Sequence, residues 1–252
     1  MLRTRIIPAL LLRNESLVKT KKFGKFIYVG DPANTVRIFN ELEVDELLFL
    51  DITASLEKRS PNLKVLSEIA DECFMPLGYG GGITSLEDAK SVFDIGFEKI
   101  AINTATEKLS LISELANQYG SQAVMASIDV KKSLFGRQTV RTLGGRRDSH
   151  RDPVEWAKEL EQQGAGEILL TSIDREGTWN GFDLGLVKRV TDAVSIPVIA
   201  HGGAGTVQHI TQVVKEANAS AVALGSMVVF QKKGMGVLVN FPDYKLLEAA
   251  LT

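Results

Sequence analysis

The chain has 252 residues, 44% of them apolar and 24% charged, with a formal net charge of −2 and a pI near 6.0. That composition can bury a full core at the size usual for one (β/α)8 barrel, and it offers no general attraction to nucleic acid or an anionic membrane. No apolar run reaches the roughly 18 residues of a spanning helix, Met1-Leu2-Arg3-Thr4-Arg5 leads directly into strand-like Ile6-Ile7 without a signal-peptide core, and Cys73, whose neighbours Phe74 and Met75 suit a core thiol, is the sole cysteine. A cytoplasmic protein without intrachain disulfides is therefore expected.

Eight short apolar segments recur, at residues 5–12, 46–51, 75–79, 99–103, 124–130, 167–172, 197–200 and 220–224. Between them the apolar residues fall at three- and four-residue intervals, as in Leu63, Leu66, Ile69 and Ala70, or Trp156 and Leu160, which is helical spacing. Strict alternation of strand and helix predicts an all-parallel sheet. Eight repeats allow that sheet to close, with the reactive loops at the C-terminal strand ends. No linker divides the chain, so residues 1–252 are expected to form one barrel domain.

Two insertions break the rhythm. Residues 13–30 follow the first strand and carry Lys19, Lys21, Lys22 and Lys25; a mobile, basic loop over the site is expected there. Residues 131–152 suggest a small hairpin, with strand-like 138–143 before Gly144-Gly145, carrying Arg141, Arg146, Arg147 and Arg151. Both suit either solvated loops or phosphate capture. Sparse aromatic interleaving and the acidic balance argue against nucleic acid.

Residues 196–226 organise the rest: a buried strand, a turn with Gly202, Gly203 and Gly205, an amphipathic helix with Ile210, Val213, Val214 and Ala217, then a second small-residue strand ending at Gly225 and Ser226. Such turns can gather several backbone N–H groups around one phosphate. The same grammar occurs earlier, because Pro76 and Pro197, Gly81 and Gly202, Gly82 and Gly203, Leu50 and Thr171, and Glu46 and Glu167 are each 121 positions apart. A tandem duplication into half-barrels at about residues 1–120 and 121–252 follows. One phosphate turn in each half predicts a ligand phosphorylated at both ends.

The runs Arg5-Ile6-Ile7-Pro8, Phe49-Leu50-Asp51-Ile52-Thr53-Ala54-Ser55, Gly80-Gly81-Gly82-Ile83, Ile102-Asn103-Thr104-Ala105, Gly164-Ala165-Gly166-Glu167-Ile168-Leu169-Leu170-Thr171-Ser172-Ile173-Asp174 and Gly202-Gly203-Ala204-Gly205 resemble the cyclase subunit of imidazole glycerol phosphate synthase. The likeness extends from about residue 3 to residue 230. It implies a duplicated (β/α)8 barrel that takes ammonia from a glutaminase partner and passes it to a substrate phosphorylated at both ends. It further implies one phosphate site at Gly82, Asn103 and Thr104 and another at Thr171, Gly177, Gly203 and Ser226, with two catalytic aspartates at the ends of strands one and five. No cofactor or metal is implied.

Aligning strand one with strand five places Asp129 opposite Leu11. A cyclase needs proton transfer on both sides of its substrate, and an isobutyl group carries no proton; losing a positioned acid or base costs roughly two to four orders of magnitude in rate. Either Asp51 or a loop residue such as Glu15 substitutes, or cyclisation has been given up, which is the favoured reading. Arg5, Glu46, Lys99 and Glu167, by contrast, match that family's ammonia gate at the barrel floor, with a structural salt-bridge plug as the alternative. Even spacing puts Arg5 with Leu11, Lys99 with Asn103, and Glu167 with Thr171 on shared strand faces. Glu98 lies on the neighbouring rim, where a partner would dock.

A complete gate without the first aspartate resembles cyclase-like paralogues found beside surface-polysaccharide genes, as do Leu10-Leu11-Leu12, the lysine-rich insertion and Val29-Gly30-Asp31-Pro32. That resemblance implies delivery of ammonia to a third, ATP-using amidotransferase that amidinates an acetamido sugar, with Asp129 and Asp51 inherited or reassigned. A genuine cyclase of histidine biosynthesis and a non-catalytic phosphosugar-binding scaffold are the other readings. His201 suits either an anion-assisting imidazolium or a hydrogen-bonded rim residue. His150 and His209 show no metal-ligand spacing, Trp179 and Phe182 suit lid packing, and Gly78-Tyr79-Gly80 fits a barrel turn better than a dinucleotide fingerprint.

Overall fold

The computed structural model describes residues 4–133 and 135–251, so Met1, Leu2 and Arg3, read above for a leader, lie outside the described residues. Among those described, the barrel strands and the strands inserted between them run β1 (Arg5–Arg13), β2 (Ser16–Thr20), β3 (Phe26–Gly30), β4 (Leu47–Asp51), β5 (Leu77–Gly80), β6 (Lys99–Ile102), β7 (Val124–Lys132), β8 (Gln138–Thr142), β9 (Arg147–Asp148), β10 (Glu167–Ser172), β11 (Val198–His201) and β12 (Ala221–Leu224). The order β1-β4-β5-β6-β7-β10-β11-β12 is parallel throughout and closes back on β1, giving the expected (β/α)8 barrel. No helix among the described residues is long and apolar enough to cross a membrane.

Strand alternation divides the apolar residues into two cores. Ile6, Leu10, Phe49, Tyr79, Ile100, Ile128, Leu170 and Val222 face outward and pack beneath the helices. Ile7, Ala9, Leu48, Ala101, Met125, Leu169, Ile199, Ala221 and Ala223 fill the lumen. Cys73 is half-buried against the outer core, whereas Phe74, read as a core neighbour, is 90% exposed.

The helices begin where short polar side chains meet free backbone N–H groups. Asp31 caps α1 (Pro32–Glu41), Asn62 caps α2 (Leu63–Glu72), Ser85 caps α3 (Leu86–Ile95), Asp152 caps α4 (Pro153–Gln162), Asp183 caps α5 (Leu184–Thr191) and Thr206 caps α6 (Val207–Ala217), each accepting from a main-chain N–H in the first turn. Proline occupies the first position of α1 and of α4, where its missing N–H costs nothing. Asp31 and Asp152, Asn62 and Asp183, and Ser85 and Thr206 repeat the 121-residue interval.

The first insertion is not the open loop expected from its lysines. It folds as an antiparallel hairpin that extends β1, with Leu11 opposite Val18 and Thr20 opposite Phe26. The β-branched or aromatic residues of Val18 and Thr20 and of the run Phe26-Ile27-Tyr28-Val29, on either side of Lys21-Lys22, were sufficient to show it. Among the described residues β3 pairs only with β2, and Phe26, Ile27 and Tyr28 are all exposed on it. The second insertion is the expected hairpin: β8 pairs antiparallel with the extended end of β7 and then with β9.

Candidate functional site

At the N-terminal end of the lumen four charges form one connected ring. Arg5 donates to Glu46 at 2.8 Å and to Glu167 at 2.5 Å, and Lys99 donates to Glu167 at 3.0 Å and lies 3.6 Å from Glu46. Burial works against the Arg5 charge, but the carboxylates of Glu167 and Glu46 outweigh it and raise its pKa. Glu46 Oε1 is buried without a hydrogen-bond partner, so the ring holds one acceptor in reserve. The residues named from the sequence for the floor are therefore brought together.

The opposite, C-terminal end is polar. β1 and β7 stand four strands apart either way round the closed barrel, so Leu11 and Asp129 face each other across the mouth. Asn103 donates from Nδ2 to the Ser127 carbonyl and to Asp129 Oδ2, both at 3.1 Å. Burial pushes the Asp129 carboxyl up to about 7, against the pull of the Thr171 hydroxyl and with help from the Glu176 charge. An aspartate so tuned can give or take a proton near neutrality. Leu11 offers nothing comparable.

Asp51 goes elsewhere. It has the outward parity of Leu47 and Phe49, and its carboxylate accepts from the Thr53 and Ala54 N–H groups at 3.0 Å each and from Arg59 Nη2 at 2.8 Å. Glu15 lies exposed in the turn between β1 and β2. Neither carboxylate is placed to replace one at Leu11.

Gly177, Gly203 and Ser226 line one small pocket together with His201, Gly202, Lys19 and Glu176. Thr171 joins it indirectly, sharing a hydrogen bond of 3.1 Å with His201 Nδ1. Gly203 is fixed by packing as well as by any ligand: at φ +115°, its missing Cβ would fall 2.2 Å from the Gly181 carbonyl. His201 is buried; desolvation first, then the Lys19 charge, lowers its pKa to about 4. The imidazolium considered from the sequence is thus disfavoured, and the ring serves as a neutral hydrogen-bonding group.

Gly82, Asn103 and Thr104 follow the adjacent strands β5 and β6. The Thr104 hydroxyl accepts from the Leu143 N–H at 3.1 Å, which ties the second insertion to this side of the mouth. In that insertion Arg141 pairs with Asp148 at 2.9 Å, while Arg151 pairs with Glu159 at 3.0 Å and lies 3.7 Å above Trp156. These two arginines are thus engaged within their own region.

Sequence reasoning missed a buried pair. Lys19, carried inward by the hairpin, forms an ion pair with Glu176, and the Thr20 hydroxyl at 3.2 Å and the Phe23 N–H at 3.3 Å donate to the other carboxylate oxygen. The residues were present as Lys19 within the strand-like Leu17-Val18-Lys19-Thr20 and as Glu176 in Asp174-Arg175-Glu176-Gly177-Thr178, but nothing local joins two segments so far apart. The pair closes the first insertion over the second glycine turn.

These features define a closed parallel α/β barrel with a charged ring at one end and, at the other, a polar mouth bearing one tuned carboxyl group. The chain belongs to the histidine biosynthesis protein family, whose model matches residues 5–233, and within it to the cyclase-subunit family of imidazole glycerol phosphate synthase. It is 49% identical over 249 residues to a Pseudomonas aeruginosa protein provisionally named imidazole glycerol phosphate synthase subunit hisF2, covering 98% of this chain and 99% of that one. A provisionally named subunit hisF3 of Vibrio vulnificus is 43% identical over 245 residues, 96% of this chain and 94% of its own. The imidazole glycerol phosphate synthase subunit HisF of Alkaliphilus metalliredigens is 44% identical over 228 residues, 90% of each chain.

Proposed function

We propose that this chain is the ammonia-receiving barrel of a glutamine amidotransferase complex and that the ammonia serves an acceptor other than the cyclase substrate. A glutaminase docks at the floor, and ammonia passes the ring of Arg5, Glu46, Lys99 and Glu167. The apolar lumen admits neutral ammonia far more readily than ammonium, whose charge would have to be desolvated. At the mouth the ammonia is passed to a third, ATP-using protein that amidinates an acetamido sugar for surface polysaccharide. The half-barrels at residues 1–120 and 121–252 each contribute a phosphate turn, supported by the repeat of helix caps. Gly82, Asn103 and Thr104 hold one anionic group, and Thr171, Gly177, Gly203 and Ser226 the other.

The observation that carries this reading is Leu11. It occupies the lumen position across from Asp129, neither Asp51 nor Glu15 is placed to replace it, and the floor ring is intact. A second reading, a slow cyclase, draws support from the Asp129 carboxyl near 7.

Ammonia-dependent turnover of the cyclase substrate by the native chain and by Leu11→Asp separates the two. The proposal expects a silent native chain that nevertheless stimulates its glutaminase. Turnover by the native chain would overturn it. A gain confined to Leu11→Asp would show an inherited pocket put to another use.

A further inference from the structure

A cavity of about 650 Å³ opens beside the first insertion. It is bounded by the turn between β1 and β2, one face of β3, and the segment that leads into α2. It shares no lining residue with the pocket at the second glycine turn or with the floor ring, and Arg59 and Ser60 on its wall back onto Gly82 of the first glycine turn. Its size lies within the range of pockets that enclose small organic ligands.

Its chemistry is of two kinds side by side. Arg13 has no carboxylate partner among the described residues and rests with its guanidinium 3.9 Å above the Phe26 ring. That stacking fixes the plane of the guanidinium and leaves its N–H edge for an oxyanion. Arg59 is spent on Glu57 and Asp51 through Nε and Nη2, and its unpartnered Nη1 is buried, so Arg13 is the cation the cavity presents. Tyr28, 62% exposed, presents a ring with no aromatic partner among the described residues. Such a ring on the wall of a cavity is a stacking platform, and stacking on tyrosine accepts any planar base.

Inorganic phosphate alone would use Arg13 and leave the aromatic wall wet, and an apolar ligand would strand Arg13. Glu15 and Asn62, on the same lining, supply an acceptor and an amide suited to hydroxyl groups. We propose that this cavity binds a nucleoside phosphate, with the base on Tyr28, the phosphate on Arg13 and the pentose hydroxyls toward Glu15 and Asn62. The site lies outside the lumen, so it stands whether or not ammonia is delivered through the barrel.

Calorimetric titration of the full chain with AMP, UMP, adenosine and inorganic phosphate tests it. A mononucleotide is expected to bind about tenfold or more tightly than adenosine or phosphate, since both halves of the site are then used. Arg13→Gln and Tyr28→Ala are each expected to weaken that binding about tenfold, while Tyr28→Phe, which keeps the ring, retains it. Arg13→Lys, which keeps the charge but loses the planar fork, should fall between native and Arg13→Gln. Absence of saturable AMP or UMP binding by the native chain overturns the proposal, as does affinity unchanged by Arg13→Gln and Tyr28→Ala. Loss of binding in Ser226→Ala with full affinity in Arg13→Gln would place the nucleotide in the barrel mouth and overturn it equally.

Discussion

Lys19 and Glu176, 157 residues apart, meet as a buried ion pair that fastens the hairpin of the first insertion to the loop after β10. Neither charge has bulk water to fall back on. Lys19→Met therefore leaves a carboxylate buried without its counter-charge, an expected loss of about 3–5 kcal/mol. Adding Glu176→Gln removes the stranded charge and should recover much of that loss. Urea unfolding of the two single variants and the double variant reads the coupling directly; additive losses would mean that the pair is not a unit.

The floor ring behaves as a second such unit. Arg5→Ala leaves Glu46 and Glu167 sharing Lys99, and a destabilisation of roughly 2–3 kcal/mol is expected by thermal or urea unfolding. If the ring passes ammonia as proposed, the same change lowers glutamine-dependent product formation by the assembled complex and spares formation from added ammonia. Equal losses in both would assign Arg5 to folding alone.

Asp51 is expected to matter for stability and not for proton transfer. Asp51→Asn weakens its bond to Arg59 and those to the N–H groups of the following turn, and should cost about 3 kcal/mol. In the Leu11→Asp background it should leave any gained turnover, per folded molecule, within about threefold. A loss of two orders of magnitude or more would return Asp51 to the list of acids.

Two buried groups pull the pH dependence in opposite directions. Asp129 binds its proton more tightly folded than unfolded, with a pKa of about 7 against 3.8, so its contribution is greatest at low pH and is lost as pH rises through that window. His201, at about 4 against 6.5, contributes fully above 6.5 and loses that stability as pH falls toward 4. Between these limits the two partly cancel. In Asp129→Asn, stability should fall as pH drops from 6.5 to 4; in His201→Gln it should rise from pH 7 down to 4. Melting temperatures across that range check both signs.

The barrel was legible because its evidence is local and repeated. Eight apolar segments, the alternation that separates Ile7 from Ile6, and the 121-residue interval all survive without knowledge of contacts. The lumen placement of Arg5, Lys99 and Glu167 came from the family resemblance, with parity in support. What sequence could not supply was competition between partners: Asp51 stays open as a substitute acid until Arg59 and two backbone N–H groups occupy it, and His201 suits an imidazolium or a hydrogen-bonded rim residue until burial removes the first option. The lysines of residues 13–30 misled for a related reason. Charge suggested a solvated loop, while β-propensity on either side of Lys21-Lys22 carried the stronger information, and one of those lysines found its anion in the interior.

The hairpin also leaves a mark on how the molecule meets its own kind. β3 has one paired side, and its other side carries main-chain groups with no strand partner among the described residues, beneath Phe26, Ile27 and Tyr28. Such an edge is a template for any extended segment, including the same strand of a second molecule. Lys25, at its entrance, is the nearby charge that discourages such pairing. Self-association at high concentration should begin at this border, and a lysine at position 27 is the smallest change that would suppress it.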